Sequence, residues 1–325
     1  MNTSTRPTRL EKYSPSLTLD SRGLADSRLA LGLAGLGGAW GPVDEKRSLE
    51  TILRALECGI GAFDTAPSYQ VAETLLGQAL KQWHGPQPII STKVGRLPGK
   101  DPHEMRYDYS TQGMRDSVRR SLDILGVSKI DLLFLHEPHL IPIDERSRVV
   151  EAMRQIQAAG LTLRLGIAGG HGEDWNGLVE SGAFDVAMLF RRVDPCMQDG
   201  IAEDIPRLRS AEMLTYGASP LHMGLLGSRY DEFVRERPSW VWRSQIDRAT
   251  RLKVLADKYG LSLPELAHRF TFSVGELDRV VIGASNQEEL QSALDDFEAG
   301  PLPAEIFAAV CDLNDTTGSD PTRLH

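Results

Sequence analysis

Eight short apolar runs alternate with amphipathic helical patterns from residue 28 almost to the C-terminus, and this alternation constrains the fold more than anything else in the chain. The runs cover residues 29–33, 60–63, 88–92, 130–135, 163–167, 186–190, 213–216 and 279–282. Helical spacing of apolar positions predicts helices over 47–58, 71–83, 111–125, 144–159, 174–181, 202–209, 246–259, 264–274 and 287–298. Ser110, Asp174 and Ser262 are placed to cap helix starts, and Gly126 and Gly160 to end helices in a left-handed turn. Repeated strand–helix units in a chain of 325 residues suggest a parallel (β/α)8 barrel, an α/β fold of one domain with C-terminal helices. The alternative is an open doubly wound sheet. Against it, the glycines after the first run (Gly35, Gly37, Gly38, Gly41) lack the GxGxxG spacing that leads a strand into a dinucleotide-binding helix. Residues 1–27 are polar and rich in Ser, Thr and Arg, and read as a flexible N-terminal extension ahead of a barrel over 28–325. Inserts over 94–110 and 220–245 fall on the rim where loops shape a pocket.

Composition narrows the partners. A net charge of −9 gives neither nucleic acid nor an anionic membrane an attractive field, and no apolar run has the length of a membrane span. The three cysteines, Cys58, Cys196 and Cys311, are odd in number and far apart, which fits a reducing, cytoplasmic setting better than a disulfide framework. His139 and His171 lack metal-ligand spacing, so no metal is assigned.

The chemistry gathers at strand ends. The second run ends in Asp64, with Tyr69 five residues on; Lys93 follows the third run and His136 the fourth. Singly, each has an ordinary structural explanation: a helix cap, a helix-start aromatic, a solvated charge, a packing histidine. Together they put four titratable groups at one rim of neighbouring buried strands. Lys93 would pull the Tyr69 phenol toward phenolate, Asp64 would hold the ammonium, and His136 would hydrogen-bond a carbonyl oxygen. None of the four can donate hydride, so a redox reaction needs a nicotinamide cofactor.

Two segments carry a family resemblance: Asp64-Thr65-Ala66…Tyr69…Glu73…Leu76-Gly77, and Ser121-Leu122…Leu125-Gly126…Asp131-Leu132-Leu133…His136. The chain resembles an aldo-keto reductase over roughly residues 29–313. That implies a (β/α)8 barrel and an NAD(P)-dependent oxidoreductase interconverting a carbonyl and an alcohol on a small molecule. In this reading Tyr69 is the general acid/base, Asp64 and Lys93 tune it, and His136 orients the carbonyl. The segment Ala218-Ser219-Pro220-Leu221…Met223-Gly224-Leu225-Leu226 is similar to the sugar-dehydrogenase branch of L-galactose and L-fucose dehydrogenases, implying a sugar-like substrate.

Other positions depart from the family. Gly166-Ile167-Ala168-Gly169-Gly170 stands where the family has Gly-Val-Ser-Asn, whose Ser and Asn bind the nicotinamide amide. Met188 lies near the position of an expected Gln, and Ala218 stands where many members stack a Tyr on the nicotinamide ring. Cofactor contacts are then expected from Ser219, Leu221, Gly283, Ser285 and Glu289. Asn286 replaces a basic residue, and Glu288 and Glu289 follow it, which favours NAD over NADP. Trp40 and Arg191 are candidate substrate contacts, the arginine meeting a carboxylate or phosphate, unless Arg191 and Arg192 pair with Asp185 or Asp194. The alternative function is non-redox carbonyl chemistry, lyase or isomerase, on a barrel that has lost nicotinamide binding.

Overall fold

The computed structural model describes residues 28–99, 104–170 and 173–315; the N-terminal extension and His171 lie outside them. Among the described residues there are ten strands: β1 (Leu29–Gly32), β2 (Ala62–Asp64), β3 (Ile89–Val94), β4 (Arg96–Pro98), β5 (Met105–Tyr107), β6 (Ile130–His136), β7 (Thr162–Ala168), β8 (Val186–Phe190), β9 (Leu214–Ala218) and β10 (Arg279–Gly283). All but β4 and β5 form a closed parallel barrel in the order β1-β10-β9-β8-β7-β6-β3-β2. Closure leaves the barrel itself without a free edge, and helices cover its outside.

Period-two alternation divides each strand between two cores. Leu31, Phe63, Ile90, Leu133, Ile167, Leu189 and Ile282 pack outward with the helices. Ala30, Ala62, Ile89, Leu132, Phe134, Ala168, Val186, Met188, Leu214, Tyr216 and Val281 fill the barrel interior. This packed interior leaves only the mouth of the barrel for chemistry.

The helix signals hold where a side chain has no competing partner. Ser110 Oγ accepts from Gly113 N at 3.0 Å, Ser262 Oγ accepts from Glu265 N at 3.1 Å, and Gly126 and Gly160 end their helices at φ 69° and 75°. Asp174 is different. The helix begins at Asn176, and Asp174 instead binds the buried guanidinium of Arg146 at 2.7 Å. A buried cation is costlier to leave unpaired than a helix start, so it takes the carboxylate.

Strands β2 and β3 run on through Asp64 and Lys93, which lie inside the ladder and not beyond it. Their polarity suggested strand ends. Each buries the other's charge, so the strands continue. The insert after β3 folds as the antiparallel β4–β5 hairpin, and the insert after β9 contains a helix at Tyr230–Glu236. Gly37, in a short helix at Ala34–Gly37, lies so close to the next unit that an added Cβ would be 2.3 Å from the Tyr69 carbonyl oxygen. Only glycine lets β1's loop support the segment that carries Tyr69.

Candidate active site

Alternation and register identify the last inward-facing residue of each barrel strand at the C-terminal mouth. In barrel order these are Gly32, Gly283, Ala218, Phe190, Ala168, His136, Lys93 and Asp64. One side of the mouth, from β6 through β3 to β2, is titratable. The other is mostly small and apolar.

On the titratable side, Lys93 Nζ binds Asp64 Oδ2 at 2.5 Å and the Thr65 carbonyl at 2.9 Å. Ser91 donates to the other Asp64 oxygen at 2.7 Å, so both carboxylate oxygens are held. The ammonium sits 4.9 Å from the centre of the Tyr69 ring, and that ring meets His136 edge-on with centroids 5.9 Å apart. The structure thus brings Asp64, Tyr69, Lys93 and His136 into one cluster.

Electrostatics set the protonation states. Burial pushes the Lys93 pKa down, but Asp64 and Tyr69 outweigh it and hold the group above its ordinary value, as an ammonium. Burial raises the Tyr69 phenol, and Lys93 pulls against it without overcoming it. The expectation of a net lowering is therefore corrected: Tyr69 is a phenol, above its ordinary value of 10.0. Burial, then the charges of Lys93 and Arg96, keep His136 well below 6.5, so the imidazole is neutral. Its Nδ1 is buried without a hydrogen-bond partner. A bare lone pair is cheaper to bury unpaired than an N–H, which puts the proton on Nε2.

Several contributors were given no role from the sequence. Ser91 and the Thr65 carbonyl complete the Lys93–Asp64 unit. Tyr109 Oη lies 2.9 Å and 3.0 Å from the His136 and Glu137 carbonyls, fixing the end of β6. Gly95, at φ 102°, admits the Tyr109 ring where a Cβ would be 2.2 Å from it. The buried Glu73 accepts from Thr92 at 2.6 Å, tying the helix after Tyr69 to β3.

The expected cofactor contacts lie on the other side. Ser219 follows β9 at φ 67°, its Oγ accepting from Met223 N at 3.0 Å, and Leu221 continues the same loop. Gly283 ends β10, and a Cβ there would meet nothing within 4 Å. At the start of the helix Gln287–Ala299, Asn286 accepts from Glu289 N at 2.8 Å and Glu289 accepts from Ser285 N at 2.9 Å. Two backbone donors that an anion would use are thus already taken by acceptors of the chain itself.

Of the other candidates, Trp40 is 52% exposed on the loop after β1. Arg191 lies against Met223 Sδ at 3.6 Å and Gln245 Oε1 at 3.3 Å, and its buried Nε has no hydrogen-bond partner. Arg192 pairs with Asp199, Glu203 and Asp204 at 3.8, 3.4 and 2.8 Å, not with Asp185 or Asp194. Asp185 accepts from Leu165 N at 3.0 Å, and Asp194 holds His222 Nδ1 at 2.9 Å. Asp194, Cys196 and His222 bring ligand-type atoms within 4.8 Å of one another, a grouping their spacing did not announce. Burial and then the Asp194 carboxylate push the Cys196 thiol well up, against the pull of Arg248 and Arg191. His139 lies 3.5 Å from Glu137.

A closed parallel barrel with titratable side chains at its C-terminal mouth defines a TIM-barrel enzyme. The aldo/keto reductase family model matches residues 28–315, and the chain belongs to that family. It is 26% identical to a D-threo-aldose 1-dehydrogenase from a Pseudomonas species, over 89% of this chain and 94% of that one. It is 27% identical to L-galactose dehydrogenase from Arabidopsis thaliana, over 90% and 92%. The fold matches a glycerol dehydrogenase structure from Gluconobacter oxydans with a TM-score of 0.75 at 23% identity, covering 97% and 99% of the two chains. The protein is an oxidoreductase interconverting carbonyl and alcohol on a small molecule, with a nicotinamide cofactor. Among the described residues no helix is long and apolar enough to cross a membrane.

Proposed function

We propose that this enzyme acts on a sugar-like hydroxyl or aldehyde, with Tyr69 as its acid/base and NAD(H) favoured over NADP(H). The observation that carries the reading is the linked unit of Asp64, Lys93 and Tyr69 beside a neutral His136. Bound at the mouth, the nicotinamide supplies or accepts the hydride. In reduction, the His136 Nε2–H donates to the substrate carbonyl oxygen and orients it. The Tyr69 phenol then gives its proton to that oxygen as negative charge develops, and Lys93, fixed by Asp64, stabilises the phenolate left behind. Oxidation of the alcohol runs the same transfer backward.

The mouth layer of Gly283, Ala218 and Ala168 carries only small side chains, and an added Cβ at Gly283 would meet nothing within 4 Å, so the residues present fit the group. Ser219, Leu221, Gly283 and Ser285 would hold the dinucleotide largely through main chain. Glu289 and Asn286 already occupy the helix start, and the acid would repel a 2′-phosphate. Trp40 would wall the substrate pocket. Arg191, held by Met223 and Gln245 within the field of Asp194 and with an unpartnered Nε, would meet an anionic group on the ligand. The sugar assignment draws on the two sugar dehydrogenases above. No observation favours the non-redox alternative.

The test is calorimetric titration with NADH and NADPH, followed by turnover on a panel of aldoses and small aldehydes. Tighter NADH binding with turnover of an aldose is expected. Tighter NADPH binding would overturn the reading of Glu289, and turnover confined to non-sugar aldehydes would overturn the substrate class.

A further inference from the structure

The neighbouring strands β3 and β6 each run on, past Lys93 and His136, into a further charge. β3 ends at Val94, Gly95 turns the chain at φ 102°, and Arg96 opens the β4–β5 hairpin. β6 ends at His136, and Glu137 follows it in the left-handed region at φ 53°. Arg96 Nη1 donates to Glu137 Oε1 at 3.2 Å, and both side chains are partly exposed. The Arg96 charge acts on both Tyr69 and His136, which puts the pair at the edge of the catalytic cluster.

The pair has bonding capacity that the fold does not use up. Left-handed backbone is strained for a glutamate, and Tyr109 Oη, 3.0 Å from the Glu137 carbonyl oxygen, helps to keep it there. Among the described residues, Arg96 Nε is buried with no acceptor. A guanidinium also carries more donors than one carboxylate oxygen takes up. The second Glu137 oxygen, Oε2, makes a long contact of 3.5 Å with His139 Nδ1. An added Cβ at Gly169 would stand 3.2 Å from that oxygen, so glycine there keeps the space beside it open.

A hydroxyl group wants an acceptor for its proton and a donor for its oxygen. Here Glu137 is the acceptor and Arg96 the donor, side by side next to the group that holds the carbonyl. A carboxylate in the same place would meet the charge of Glu137, and an alkyl chain would strip water from both side chains without replacing it. We propose that Arg96 and Glu137 bind the hydroxyl on the carbon next to the reacting carbonyl, so that the enzyme selects α-hydroxy aldehydes. The proposal rests on the roles given to Tyr69 and His136 above, and it adds which hydroxyl of a sugar-like substrate is recognised and by which residues. Both side chains act in recognition and not in the proton or hydride transfer.

The experiment compares the full-length protein with Glu137→Gln and Arg96→Gln in steady-state reduction of lactaldehyde, propanal and glyoxylate. Lactaldehyde and propanal differ only in the hydroxyl next to the carbonyl, and glyoxylate carries a carboxylate there. The unmodified protein should favour lactaldehyde over propanal by about 10- to 100-fold in kcat/KM, and each variant should bring that ratio close to one. Glu137→Gln should raise the glyoxylate-to-propanal ratio about tenfold, and Arg96→Gln should lower it. A gain on glyoxylate cannot come from a damaged fold, whereas a merely structural pair would move all three substrates together. Equal loss on all three overturns the proposal. So does a preference for lactaldehyde that both variants retain, which leaves the sugar-like substrate standing and assigns its recognition elsewhere. Turnover of none of the three by the unmodified protein, with NADH or NADPH, overturns the substrate reading and this proposal together.

Discussion

The two halves of the barrel mouth are built on opposite principles. On β2, β3 and β6, buried polar side chains lock one another: Ser91 and Lys93 hydrogen-bond Asp64, and Lys93 lies over the Tyr69 ring. On β7 to β10 and β1, the last inward positions at the mouth are alanine, glycine and one phenylalanine. Proton transfer needs particular groups at fixed separations and protonation states, so each member of the first half is irreplaceable. Holding a large ligand needs shape and backbone donors, which many side-chain sets provide. The second half is therefore free to diverge while the first is not.

The largest test of that contrast is Tyr69→Phe. Removing the phenol should lower turnover about 10²- to 10⁴-fold, with NADH affinity unchanged in calorimetry. A comparable loss of NADH binding would mean that the halves are not separable. The phenol's raised pKa also sets the pH dependence. An acid titrating above 10.0 stays protonated through neutrality, so reduction should be flat with pH there. Alcohol oxidation needs the deprotonated form and should keep rising with pH, without a plateau below about pH 10. A plateau in oxidation near neutrality would show that another group controls the step.

Next in size is Asp64→Asn. Lys93 is only 2% exposed, and losing its carboxylate leaves a buried ammonium with the Thr65 carbonyl. Breaking such a pair costs about 3–5 kcal/mol, so denaturant midpoints should fall along with turnover. A variant of native stability would show that the pair is solvated, and not the rigid unit described here.

The smallest effect sharpens the other half. Ala168→Ser puts a hydroxyl where, on the proposed reading, the nicotinamide amide would have no side-chain partner. It should strengthen NADH binding by about three- to tenfold, the worth of one hydrogen bond. If affinity falls instead, the small layer serves packing of the ring and not the absence of a donor.

Much of the molecule was legible from residue order. The alternation of runs and helices specified a closed parallel barrel, because apolar periodicity is local and eight strand–helix units have few ways to bury it. Asp64, Tyr69, Lys93 and His136 were also visible, as polar groups at the ends of apolar runs. Their motif fixed the family.

Tertiary structure decided what depends on burial and on partners remote in sequence. It extended β2 and β3 through their charges, gave Asp174 to Arg146 and not to a helix start, and matched Arg192 with Asp199, Glu203 and Asp204. It also set the sign at Tyr69. Sequence shows that a lysine is near, but only the fold shows that desolvation outweighs it. Phe190 makes the same point: its facing came from strand parity, but its place beside Ala218 came from a register that no local pattern encodes. Periodicity is written along the chain, whereas solvation and register arise only when distant segments meet.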